Sequence, residues 1–139
     1  SNQDGMQKTE EALETSFEGL IFTNLVDFDS KFGHRRDAEG YGKALEEFDA
    51  RLPHILKRLQ PMDLLMICAD HGNDPDHTGW DHTREYVPVV VTGKPIKMGV
   101  NMGTRSSFGD IAATISEYLN TEPPALGTSF LSLILETGA

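Results

Sequence analysis

The stretches LIFTNLVDFDSKFGHRRD (residues 20–37) and DLLMICADHGNDP (residues 63–75) decide how this chain is read. Each opens with an apolar run of the length of a buried strand and ends in carboxylates and imidazoles. The first run, 20–29, closes on Asp27-Phe28-Asp29, with Gly33-His34 just beyond. The second, 63–69, closes on Asp70-His71-Gly72-Asn73-Asp74. Between them Ala44, Leu45, Phe48, Leu52, Ile55, Leu56 and Leu59 recur at three- and four-residue spacing, which predicts a helix over about 43–59 with one buried face. Pro53 lies inside that pattern and should kink or split it. Strand, helix, strand is the rhythm of an α/β fold. The expectation is therefore a mostly parallel sheet flanked by helices, with 20–29 and 63–69 as parallel neighbours joined by a right-handed crossover.

Outward from this unit, QKTEEALETSF predicts a helix from about Met6 to Phe17, and FGHRRDAEGYG reads as a glycine-bearing loop. YVPVVVTG (86–93) is a third strand, with Pro88 at an edge or at its start. SFGDIAATISEYLN supports a helix from about Phe108 to Asn120, capped by Ser106 or Ser107. There is no internal repeat and no low-complexity tract.

The 139 residues suit one ordinary domain, and 38% apolar with 24% charged residues is a globular composition. No apolar run approaches the roughly 20 residues of a membrane span, so no membrane partner is expected. The opening SNQDGMQKTEEALE is acidic and polar, unlike a signal or transit peptide. Twelve Lys and Arg against 22 Asp and Glu give a net charge of −10. That charge repels a phosphate backbone and argues against nucleic acid, but suits divalent cations. The one cysteine, Cys68, excludes an internal disulfide and fits a reducing, cytoplasmic setting. Its apolar surroundings read as those of a small core residue.

Ligands of open α/β sheets bind beyond the carboxyl ends of the strands. Asp29 with His34 and Asp70 with His71 fall at two such ends, and Asp76-His77 and Asp81-His82 follow in the next loop. Four of the five histidines lie in these places. A single Asp-His dipeptide ordinarily caps a helix or binds water; three clusters at strand ends point instead to a metal. Asp70 and His71 are adjacent and can converge only where the strand has ended and the chain turns, which Gly72 permits. The mixed oxygen and nitrogen donors suit manganese, zinc or iron and lack the thiolates of a structural zinc site. His77 has no spacing partner, and His54 sits in the long helix away from the strand ends.

The runs NLVDFDSKFGHRRD (24–37), ADHGNDP (69–75) and DHTREYVPVVV (81–91) together resemble the phosphopentomutases, metal-dependent mutases of the alkaline phosphatase superfamily. The resemblance extends from about Ser1 to Ile134. It implies an alkaline-phosphatase-like core with two divalent metal ions, usually manganese. Asp29, His34 and His82 match the ligands of one ion, and Asp70 and His71 match ligands of the other. It also implies transfer of phosphate between the C1 and C5 oxygens of ribose or deoxyribose. That transfer runs through a phosphothreonine and a sugar bisphosphate, which also serves as activator. The family's nucleophilic threonine, a further metal-binding Asp and the sugar-phosphate-binding cap match nothing here. Residues 1–139 are thus expected to be the C-terminal segment of the metal-binding core. The partners implied are a pentose phosphate and the remaining N-terminal core and cap of the same polypeptide. The chain alone is expected to be inactive, with no catalytic residue of its own. Thr78 and Thr83 do not match the nucleophile's place. Trp80 stands where the family more often has a small polar residue. Arg35, Arg36 and Arg84 either meet phosphate or, for at least two of them, pair with the excess carboxylates.

Two other readings compete. Cofactor-independent phosphoglycerate mutases and simple phosphatases of the same superfamily share the DHGN turn. Their first Asp…His pair is spaced one residue closer, and they lack HRRD and DHTREYVP. The other reading is a metal-binding fragment without catalysis.

Overall fold

The Ser1 hydroxyl accepts the Asp4 N–H and caps the first helix, α1 (Asn2–Leu13). In this computed structural model, which describes residues 1–137, a π-helical turn (Phe28–Gly33) follows, and then α2 (Ala38–Leu56). Next come β1 (Leu65–Cys68), β2 (Val89–Thr92), α3 (Gly109–Tyr118) and a short α4 (Leu131–Ile134). β1 and β2 form a two-stranded sheet. The chain divides into two compact units: Ser1–Gln60 with Ile67–Val90, and Pro61–Met66 with Val91–Ala139.

In the first unit, Met6 and Glu10 lie one helical turn apart on the buried face of α1, and α2 buries Ala44 and Ile55. A buried carboxylate needs partners. Glu10 accepts from Arg51 Nε at 2.6 Å and lies 3.6 Å from Arg58 Nη1, which ties α1 to α2. Asp27 accepts the backbone N–H of Asn2 at 2.9 Å and the Lys31 ammonium at 3.0 Å. It therefore serves the start of α1.

In the second unit, Phe130 and Thr114 are fully buried, and Ala113, Leu131 and Ile134 are buried as well. Thr114 Oγ1 donates to the Asp110 carbonyl at 2.7 Å and accepts the Phe130 N–H at 3.0 Å. The buried Asp110 carboxylate accepts from Arg105 Nε and from the Thr128 N–H, each at 2.8 Å. Gly127, at φ +108°, lies against the backbone of Gly109, where a side chain would collide.

These ion pairs predict a pH dependence. The Arg51 hydrogen bond lowers the Glu10 pKa, the Asn2 N–H that of Asp27, and the Thr128 N–H followed by Arg105 that of Asp110. A carboxyl depressed in the folded state contributes stability above its unfolded value, about 4, and that contribution is lost as pH falls through the folded value. Melting temperatures are expected to fall on acidification below about pH 4. Glu10→Gln and Asp110→Asn should flatten that fall, and an unchanged slope in both would refute the assignment.

Several expectations change. Residues 20–25 form no strand; Leu20, Phe22 and Val26 are exposed, and 28–33 wind into the π-helical turn. An apolar run records a demand for burial, whereas a strand exists only where another backbone pairs with it. Among the described residues none pairs with 20–25, so the parallel pairing with 63–69 and its crossover do not form. What is observed is mixed helix and sheet, with β1 paired to β2. Cys68 is exposed rather than in the core, because it ends a strand with one neighbour.

α1 starts early on its Ser1 cap. It stops at Leu13, where the Thr15 hydroxyl and N–H both turn back to the Ala12 carbonyl. α2 begins at Ala38, inside the expected loop, because the Asp37 carboxylate caps the Gly40 N–H at 2.8 Å. A side chain at Gly40 would strike that carboxylate and the Phe32 ring. Pro53 does not split α2: it lies in the last turn, where little helix remains to break. Pro88 immediately precedes β2 as expected. Phe108, rather than a serine, stands at the cap of α3, although Ser107 Oγ still accepts the Gly109 N–H at 3.1 Å.

Candidate metal centre

The π-helical turn and the loop after β1 bring Asp29, His34, His71 and His82 together. The wider turn places Asp29 and His34 on one side of their segment, where the His34 N–H closes on the Asp29 carbonyl at 2.9 Å. An isolated antiparallel bridge between Gly72 and Thr83 pinches off the 73–82 loop and turns His82 back toward His71. Gly72 is needed there, since a Cβ would meet Glu85 N at 2.8 Å and Thr83 O at 2.9 Å.

Three imidazole Nε2 atoms surround one oxygen, Asp29 Oδ1: His82 at 3.3 Å, His34 at 3.4 Å and His71 at 4.0 Å. His82 Nε2 is also 3.1 Å from His34 Nε2, and the His71 and His82 rings stack at 3.6 Å. Donors of Asp29, His71 and His82 all lie within 4.8 Å of one another. Asp70 is at the edge, exposed, with Oδ1 3.6 Å from His71 Nε2. The two ligand sets implied by the resemblance therefore form one continuous cluster, with His71 in its middle. His77 and His54 are exposed, and neither belongs to this cluster.

Hydrogen bonds orient two of the rings. His34 Nδ1 lies 2.5 Å from the Trp80 carbonyl and His71 Nδ1 3.0 Å from the Gly72 carbonyl. A carbonyl only accepts, so each Nδ1 carries the proton and each Nε2 turns a lone pair into the cluster. Two facing Nε2 atoms at 3.1 Å repel unless a proton or a cation lies between them. The carboxylate, the lone pairs and the acidic residues Asp74, Asp76 and Asp81 of the same loop, with Glu85 just beyond it, favour a divalent cation. The donor set thus fits the metal that the motifs implied. Trp80 contributes through its carbonyl while its side chain is exposed, so its departure from the usual residue leaves the site intact.

Other candidates fall away. Partial desolvation of the Cys68 thiol and, after it, the Asp70 carboxylate raise its pKa, so Cys68 is not poised as a nucleophile. Thr83 Oγ1 accepts the Asp74 N–H at 2.7 Å and donates to Glu85. Arg36 pairs with no carboxylate among the described residues: its guanidinium donates to backbone carbonyls and to Asn73. Arg35 and Arg84 make no ion pair among the described residues. Asn73, which the motif reading did not single out, donates from Nδ2 to Asp29 Oδ1 at 2.5 Å. An open hollow of about 530 Å³ is lined by His77, His82, Thr83, Arg84 and Glu85.

Comparison with known proteins agrees with this donor chemistry. The sequence is 58% identical to the phosphopentomutase of Alkaliphilus metalliredigens over 135 residues, 97% of this chain and 35% of that protein. It is 55% identical to that of Clostridioides difficile over 130 residues, 94% and 33% of the two chains. It is 54% identical to that of Symbiobacterium thermophilum over 134 residues, 96% and 34%. The chain spans about a third of the length of these relatives. Its residues 1–123 match the family described as the Metalloenzyme superfamily, and with a carboxylate and three imidazoles converging in that span, the chain belongs to this superfamily.

Proposed function

We propose that the polypeptide carrying this chain is a phosphopentomutase, a metal-dependent isomerase that interconverts (deoxy)ribose 1-phosphate and (deoxy)ribose 5-phosphate. The observation that carries the reading is the convergence of three imidazole Nε2 atoms on Asp29 Oδ1. More than 50% identity to several phosphopentomutases supports it. Asp29, His34, His71, His82 and Asp70 would hold two divalent ions, manganese in this proposal. Bound there, the ions would polarise phosphoryl oxygens and neutralise charge developing in the transfer.

The chain's own residues position that chemistry. The Trp80 and Gly72 carbonyls keep the His34 and His71 rings in the ligating tautomer. Arg84, beside His82 in the open hollow, supplies a cation for a substrate phosphate. The phosphate acceptor in this proposal is a threonine outside these residues, as the resemblance implies; the Thr83 hydroxyl is itself engaged on both sides. The sugar bisphosphate is both intermediate and primer. The remaining core and cap of the polypeptide are the proposed partner of the exposed Leu20, Phe22 and Val26. The cytoplasm is the proposed location; among the described residues no helix is long and apolar enough to cross a membrane.

The test uses the intact polypeptide, stripped of metal and reloaded with Mn²⁺. Ribose 1-phosphate is expected to convert to ribose 5-phosphate only after reloading, while residues 1–139 alone give no conversion. Turnover of phosphoglycerate, or release of free phosphate without isomerisation, would overturn the reading.

A further inference from the structure

Among the described residues, Arg36 is one of two non-glycine residues with positive φ, at +56°. Such a conformation is strained for a residue with a side chain and persists only where the surroundings demand it. Here the demand comes from its guanidinium, around which the 73–82 loop is wrapped. Nε donates to the Gly79 carbonyl at 2.6 Å and Nη2 to the Asp81 carbonyl at 2.6 Å. Nη1 donates to the Asp74 carbonyl at 2.7 Å, Asn73 Oδ1 at 2.8 Å and the Gly33 carbonyl at 3.3 Å. No carboxylate is among these partners. The planar fork spans the loop from Asn73 to Asp81, one residue short of His82.

The Asn73 amide can be oriented in one way only. Guanidinium donates and never accepts, so Oδ1 must face Arg36; Asp29 accepts, so Nδ2 must face its carboxylate. The bond falls on Oδ1, the same Asp29 oxygen that faces the three imidazoles. Gly33 keeps the path open, because a side chain there would collide with the Asn73 amide.

We propose that Arg36 is a positioning residue for the metal centre. It acts through Asn73 to aim Asp29 Oδ1 and through the loop carbonyls to set the reach of His82. The inference rests on the metal-site reading above. Lysine keeps the charge but cannot span the loop, since its ammonium is a point donor on a flexible stem.

The experiment measures Mn²⁺ affinity of the metal-stripped intact polypeptide by titration, with the electron paramagnetic resonance of the bound ion as a second readout. The variants are Arg36→Lys, Asn73→Ala and the double variant. Each single change is expected to weaken binding about 10–100-fold, as loss of a group one step behind a metal ligand does. The double variant should be no weaker than the worse single one, since replacing Arg36 already breaks the path that runs through Asn73. The bound-ion spectrum should change in the same way in both, which a general loss of stability would not produce. Wild-type-like affinity in either single variant, or additive losses in the double, would overturn the proposal while leaving the metal site standing. Should Arg36→Lys fail to fold, Asn73→Ala decides by the same criterion. A wild-type polypeptide that binds no Mn²⁺ would overturn both readings.

Discussion

His82→Ala in the intact polypeptide is expected to lower ribose phosphate isomerisation by more than ~100-fold, beyond the range typical of groups one step behind a ligand. The side chain supplies one of three nitrogens around Asp29 Oδ1, touches His34 Nε2 and stacks on His71. Its removal opens the cluster from two sides. Bound metal should fall in parallel, while circular dichroism stays unchanged, because His82 is exposed in a loop rather than part of the core. His54→Ala is the matched control. His54 is exposed on α2, and the bond it accepts from Arg58 uses its backbone carbonyl, which alanine retains. Its activity and metal content should stay near wild type, with a stability change within about 0.5 kcal/mol. Full activity and full metal in His82→Ala would refute the ligand assignment, with His77 the next candidate in that loop.

Phe130→Ala is expected to have the largest effect on stability, about 3–5 kcal/mol by urea denaturation of the intact polypeptide. Phe130 is fully enclosed, and its N–H is held by the equally buried Thr114 hydroxyl. Truncating the ring leaves a void and removes the contact with the Arg105 guanidinium, 5.6 Å from the ring centroid. The loss should be the same with and without metal, because Phe130 belongs to the second unit and the ligands to the first. Leu126→Ala, at an exposed leucine of the same segment, should change stability by no more than about 0.5 kcal/mol. Equal losses in the two variants would show that Phe130 does not anchor this unit.

The elements that were legible in the sequence were those whose cause is local. α2 and α3 follow from apolar spacing, and β2 begins right after Pro88 because proline cannot donate to a ladder. Element boundaries were less legible where one side chain decides them. The Asp37 carboxylate moved the start of α2 to Ala38, and Thr15 ended α1 at Leu13. α4 is four residues long and leaves no periodicity to detect. The run 20–29 misled because apolar content specifies burial without naming the backbone that pairs with it.

For the site, the sequence by itself determined the donor chemistry and the family. Residue type dictates what an imidazole or a carboxylate can bind, and the motifs carry enough residues to be specific. Their spacing along the chain also placed Asp29, His34, Asp70, His71 and His82 in a few short segments. Only the tertiary structure decided that His71 stacks on His82, with its Nε2 3.6 Å from Asp70 Oδ1 and 4.0 Å from Asp29 Oδ1. It likewise decided which imidazole nitrogen faces inward, since that depends on the carbonyls of Trp80 and Gly72. Arg36 shows the difference most clearly. Its charge suggested phosphate or carboxylate as partner, yet it binds carbonyls from Gly33 to Asp81. A guanidinium's charge is written in the sequence, but the acceptors it finds are set by which backbone the fold wraps around it.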